Sequence, residues 1–320
     1  MRGTKPAQPN VGGRALGDYR VLSYEAGSAP AAGVLIGETV HDAASLLDGV
    51  GWPAGSVIDI LQHWEEARPR LERAADNPPA GGRPLGEVKL LAPLLYPSTL
   101  YFAGANYWDH MHEMAAAMLE MTGVAPPVEK LTDPWLSLQS ARSSIAGPGE
   151  TVHLPAFSSK VDWEAEVGLV IGRAGKDLDP ANALDCVAGY MIVNDLSARD
   201  YLKREGSPFI YDFLGQKCFD GSNPMGPWIT PRQAIADPTA MSIKLWVNDE
   251  LKQDSNTGQL IHDFVEILVY LSSRVTLQPG DVIMTGTPAG VGFPRGTFLK
   301  SGDKIRIEIG GCGVLETPVV

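Results

Sequence analysis

A chain of 320 residues, 44% of them hydrophobic, is long enough for one large or two modest domains with well-buried cores. Its 38 acidic against 26 basic residues leave a formal net charge of −12, which argues against a nucleic-acid partner, because phosphate backbones are held by clustered Lys and Arg. No apolar run approaches the roughly 20 residues of a membrane-spanning helix, and three scattered cysteines (Cys186, Cys218, Cys312) without metal-type spacing fit a reduced, cytoplasmic protein.

Residues 1–17 are polar and rich in Gly and Pro, without the apolar segment of a secretory signal, and read as a flexible tail. Tyr19–Tyr24 and Ala32–Ile36 read as paired short strands. Ser56 to Ala74 carries helical periodicity through Val57, Ile60, Leu61, Trp64 and Leu71. A Pro/Gly-rich break at 77–84 precedes a strand-like Val88–Leu91. Residues 18–95 are therefore expected to form a small N-terminal domain.

From residue 96 to 320 the texture becomes β-rich. Predicted strands are Leu100–Ala103, Ala165–Ile171, Val187–Val193, Pro227–Ile229, Ser242–Val247, Asp281–Met284 and Lys304–Ile309. Helices are predicted at Trp108–Met121 and Ile261–Leu271. Short strands at this spacing predict an α+β, mostly β chain: a rolled or sandwich-like sheet structure with a few helices, not a doubly wound sheet.

Glu164 and Glu166 open the apolar strand Ala165–Ile171. Residues two apart in a strand share a face, so the two carboxylates project side by side, with Asp162 on that face too. Asp195 follows the apolar run Tyr190–Val193, where a buried strand gives way to a loop. Three such carboxylates form an all-oxygen set that suits Mg²⁺, Mn²⁺ or Ca²⁺ better than Zn²⁺. The bland alternative is an exposed strand edge whose acids pair with Lys or Arg.

On the helix from Trp108, His110 and Glu113 lie three apart on one face, where a carboxylate orients an imidazole and makes it a better proton acceptor. His112 is rotated about 200° from His110 and faces elsewhere. An ordinary exposed i,i+3 pair has the same spacing. The Met111, Met114, Met118 and Met121 stripe reads as packing of a helix that could move as a cover. The loop Thr285–Gly292 lacks the Lys and spacing of a phosphate-binding loop; it suits close backbone approach to a carboxylate or carbonyl oxygen, or a plain turn.

In this order the segments Gly104-x-Asn-Tyr-x-x-His110-x-x-Glu113, Val161-Asp-Trp-Glu-Ala-Glu166, Asn194-Asp-Leu-Ser-Ala-Arg-Asp200, Gly215-Gln-Lys217-Cys-Phe-Asp220 and Pro279 to Gly292 resemble the fumarylacetoacetate hydrolase family. The resemblance covers about residues 95–320 and implies a mixed β-roll catalytic domain behind a small N-terminal α/β domain, usually as a homodimer. It implies Mg²⁺ or Mn²⁺ on Glu164, Glu166 and Asp195, and a catalytic dyad of His110 and Glu113. Lys217 and Arg199 are then the cations that meet a substrate carboxylate or a developing enolate, and Tyr107 and Thr287 contact the substrate. The implied activity is catabolic hydrolysis of a C–C bond in a β-diketone or acylpyruvate-type 2-oxo compound. Decarboxylation, isomerisation or dehydration on the same scaffold is the alternative. Two positions depart from the family pattern: Leu202 stands where many hydrolytic members have Gln, and Gln139-Ser140 where members often carry a Lys. Loss of that cation points to a less charged substrate, such as a cyclic or aromatic-derived diketone.

Overall fold

Residues Ala165–Ile171 form a strand buried on both faces, and the molecule is layered around it. The computed structural model describes residues 18–320; the predicted tail of residues 1–17 lies outside them. Alternate side chains of this strand leave in opposite directions. Val167, Leu169 and Ile171 enter one core with Tyr190, Ile192, Ile243, Leu245, Ile305 and Ile307. Val170 enters a second core with Met191, Val193, Ile60, Leu61, Trp64 and Leu71. Each buried Leu, Ile or Val contributes roughly 1.5–3 kcal/mol, so both faces hold the strand in register.

The large sheet has 11 strands. From one edge they run Arg83–Pro84, Thr39–Asp42, Ala29–Ile36, Arg20–Ala26, Asn223–Pro231, Val187–Asn194, Ala165–Ile171, Val282–Met284, Leu100–Ala103 and Leu136–Gln139, with Ile145–Ala146 pairing beside Asn223–Pro231. The N-terminal strands continue this sheet through the antiparallel pair Val21↔Ile229. A four-stranded antiparallel sheet of Glu250–Asn256, Ser242–Val247, Lys304–Ile309 and Gly313–Pro318 covers one face. Helices Val57–Gln62 and Trp64–Asp76 pack against the other. This is the predicted β-rich α+β architecture. Among the described residues, no helix is long and apolar enough to cross a membrane.

Three local expectations are corrected. The helix predicted over Ser56–Ala74 is two helices, because His63 leaves helical dihedrals at φ −118° and ψ 29° and stacks on Trp52 at 4.4 Å. Val88–Leu91 is not a strand: a 3₁₀ turn at Leu85–Glu87 precedes it and Leu90 makes a single bridge to Tyr24. The helix predicted from Ile261 begins at Phe264, because Asp263 and Glu266 form a capping box that satisfies the first free N–H groups there.

Candidate active site

The strand Ala165–Ile171 directs its even-numbered residues away from the four-stranded sheet, and Glu166 follows that rule. Its neighbour Val187–Asn194 pairs Val193 with Glu166 and Asn194 with Ala165, so the next residue, Asp195, arrives beside the glutamates. The Asp195 N–H donates to the Glu164 carbonyl at 2.9 Å, and the Glu164 N–H to Asn194 Oδ1 at 3.0 Å. Glu164, Glu166 and Asp195 thereby place carboxylate oxygens within 4.8 Å of one another, all buried.

Two cations lie inside this acidic group. Lys217, at the end of the short helix Phe213–Lys217, donates to Glu164 Oε2 and Asp195 Oδ2, each at 2.6 Å. Arg199 donates through Nε to Asp162 Oδ2 at 2.9 Å and through Nη2 to Glu164 Oε1 at 2.5 Å. Burial alone would raise the Glu164 pKa, but the Arg199 and Lys217 charges hold it down at about 2. Glu166 is not salt-bridged to either cation. Burial, with the charges of Asp195 and Glu164, pushes its carboxyl well above the usual range, against the Lys217 charge and one hydrogen bond from the Gly286 N–H at 2.7 Å. Burial also raises Asp195, although Lys217 opposes it.

Four buried carboxyl groups, Asp162, Glu164, Glu166 and Asp195, thus face the buried Lys217 and the partly buried Arg199, which with every carboxyl ionised leaves an excess of two formal negative charges. Such an excess in a desolvated site is costly unless it is neutralised. A divalent cation matches it in charge, and three converging oxygen donors match it in chemistry. The residues present therefore fit a divalent metal, with Lys217 already bridging two of its prospective ligands.

The helix Trp108–Thr122 lies beside this cluster. His110 and Glu113 are both largely buried, with His110 Nδ1 3.9 Å from Glu113 Oε2, too far for a hydrogen bond. His112 is exposed, as its position on the helix predicts. Glu113 is anchored by the Gly290 N–H at 2.9 Å and by Arg295 at 2.8 Å. Burial would raise its pKa, but His110, the Gly290 N–H and Arg295 together lower it. His110 also lies near enough to Glu164 for its charge to favour that carboxylate.

The loop Thr285–Gly292 makes the close approach expected of it, to the protein's own carboxylates. The N–H groups of Gly286, Gly290 and Gly292 donate to Glu166, Glu113 and Asp162 at 2.7, 2.9 and 2.6 Å. Glycine is required at the last two: a Cβ at Gly290 (φ +108°) would stand 2.0 Å from the Lys252 carbonyl oxygen, and one at Gly292 1.9 Å from that of Thr297.

Of the predicted substrate contacts, Thr287 Oγ1 donates to the Ala165 carbonyl at 2.9 Å and accepts from Gln253 Nε2 at 2.9 Å. The Tyr107 hydroxyl is fully buried near Glu166; burial and that charge raise its pKa well above the ordinary phenol value. Arg199 has its guanidinium engaged by Asp162 and Glu164. Sequence reasoning did not foresee Asn223 or Arg295, which carry no local signal. Gln139 stood out only as a departure, yet its amide donates to Asp195 Oδ1 at 2.8 Å.

A layered β-rich fold around three buried carboxylates that could hold a metal ion, with a histidine–glutamate pair beside them, defines a candidate enzyme active site. The family model "Fumarylacetoacetate (FAA) hydrolase C-terminal" matches residues 99–320, and the chain belongs to that family. It is 34% identical over 306 residues to a mitochondrial oxaloacetate tautomerase of Xenopus laevis, covering 94% of this chain and 90% of that protein. Among solved structures it resembles maleylpyruvate hydrolase from Sphingobium sp. SYK-6, in complex with manganese(II) and pyruvate, with a TM-score of 0.72 and 30% identity over 94% of this chain and 98% of that one. It also resembles a probable 2-hydroxyhepta-2,4-diene-1,7-dioate isomerase from Mycobacterium abscessus, with a TM-score of 0.75 and 28% identity over 94% and 98%. Enzymes of the family thus include hydrolases, isomerases and tautomerases.

Proposed function

We propose that the chain hydrolyses a C–C bond in an acylpyruvate-type 2-oxo compound, with Mg²⁺ or Mn²⁺ on Glu164, Glu166 and Asp195. The observation that carries this reading is the placing of three metal-competent carboxylates beside an imidazole whose Nδ1 faces an anchored carboxylate. A divalent ion there supplies Lewis-acid polarisation of the 2-oxo group and stabilises negative charge on its oxygen. With Nδ1 turned to Glu113, His110 takes a proton from water at Nε2, and Glu113 holds the resulting imidazolium. The hydroxide adds to the distal carbonyl carbon, the bond from that carbon to the methylene breaks, and the methylene receives the proton. The products are a carboxylic acid and a pyruvate-type 2-oxo acid. Lys217 contributes a fixed positive charge beside the developing enolate.

A second reading, keto–enol tautomerisation of a short 2-oxo diacid, is favoured by the 34% identity to an oxaloacetate tautomerase along 94% of the chain. In it His110 takes the proton of the enol hydroxyl and the neighbouring carbon receives a proton, with no water consumed and no C–C bond cleaved. Following acetylpyruvate and enol-oxaloacetate by NMR, with EDTA and then with added Mg²⁺ or Mn²⁺, separates the two. Hydrolysis predicts acetate and pyruvate only with metal. Loss of enol without cleavage assigns tautomerisation, and turnover indifferent to EDTA overturns the metal reading.

We also propose a homodimer. Phe209, Ile210, Tyr211 and Leu214, 56–81% exposed, form an apolar surface beside the Lys217 helix that a second copy would cover. Light scattering should give about twice the 34.2 kDa chain mass; a monomer overturns this.

A further inference from the structure

Gln139 is the last residue of the edge strand Leu136–Gln139, 8% exposed, and its side chain is held at both ends. Its Nε2 donates to Asp195 Oδ1 at 2.8 Å, and its Oε1 accepts from Asn223 Nδ2 at 2.7 Å. Asn223 is itself fixed, with its backbone N–H on the Ser144 carbonyl at 2.6 Å. The direction of this chain of bonds follows from donor chemistry. An ionised Asp195 only accepts, so Gln139 must turn its NH₂ to it and its oxygen to Asn223. The other Asp195 oxygen meets Lys217.

We propose that Gln139, oriented by Asn223, is a positioning residue that fixes the Asp195 carboxylate for a divalent cation without adding charge to the site. The proposal rests on the metal reading above. A Lys at this position would cut the excess of two negative charges to one and compete for Asp195. A neutral amide holds the same oxygen and leaves the full excess for a dication.

Mn²⁺ titration of the full-length protein by calorimetry and electron paramagnetic resonance tests this, with folding checked by circular dichroism. Gln139→Leu is expected to weaken Mn²⁺ binding about 10–100-fold, the usual effect of removing a partner that orients a metal ligand. Gln139→Lys should weaken it at least as much. Asn223→Leu is the telling variant. It removes the donor that holds Gln139 Oε1 without adding charge, and it should weaken Mn²⁺ although residue 223 bonds to none of the three carboxylates. Folded Gln139→Leu and Asn223→Leu proteins that bind Mn²⁺ within twofold of the parent overturn the positioning role. A parent protein that binds no Mn²⁺ overturns the metal reading itself, a separate and recognisable failure.

Discussion

Replacing His110 with Ala is expected to lower kcat roughly 10²- to 10⁴-fold, the range for loss of a positioned general base. His112→Ala should leave kcat within about twofold, because exposed substitutions away from special features change little. The two histidines sit on the same helix and differ in what surrounds them. His110 is largely buried, with Nδ1 3.9 Å from Glu113 and its charge felt at Glu164, whereas His112 is exposed. Glu113→Gln should fall between the two. It retains the shape and the Gly290 N–H bond but removes the charge that stabilises an imidazolium. Steady-state rates for the three variants at saturating metal decide the matter. Equal losses for His110→Ala and His112→Ala would show that the helix, not the imidazole, was being measured.

The parts of this site that rest on strand periodicity were legible in the sequence. The two-residue spacing pointed to Glu164 and Glu166 together and the end of an apolar run to Asp195, and their carboxylates do converge. Glu164, however, lies just before the strand and is held there by Asn194 Oδ1 and the Asp195 N–H, not by strand alternation. Helix angle separated His110 from His112. What was not legible depends on contacts between distant segments. Asn223 reaches the site only because Asn223–Pro231 pairs with Val187–Asn194, and Arg295 only because its loop folds against the Glu113 helix. The pairing of Arg199 with both Asp162 and Glu164 likewise bridges 37 and 35 residues. Strands without apolar alternation were also missed. Glu250–Asn256 is mostly polar, yet Ser242–Val247 supplies its ladder partners, a case of tertiary pairing overriding composition.

Lys217→Met separates the buried electrostatics from ordinary surface pairing. In metal-free protein it is expected to cost about 3–5 kcal/mol, because Glu164 and Asp195 stay buried after losing a shared partner. Distance does not decide this. Lys130 pairs with Glu266 at the same 2.6 Å, but those side chains are 42% and 41% exposed, against 6% and 7% for Lys217 and Glu164. Solvent screening limits the exposed pair to about 0–1 kcal/mol, so Lys130→Met is the control. A divalent ion supplies the charge that the variant lacks, so Lys217→Met should bind Mn²⁺ more tightly than the parent, and at saturation each tenfold in relative affinity narrows the stability gap by about 1.4 kcal/mol. Urea unfolding with EDTA, then with Mn²⁺, should therefore show a large deficit for Lys217→Met that metal narrows, and almost none for Lys130→Met. A deficit that Mn²⁺ leaves untouched would mean that Lys217 is held for its packing over Phe102 rather than for the carboxylates it bridges.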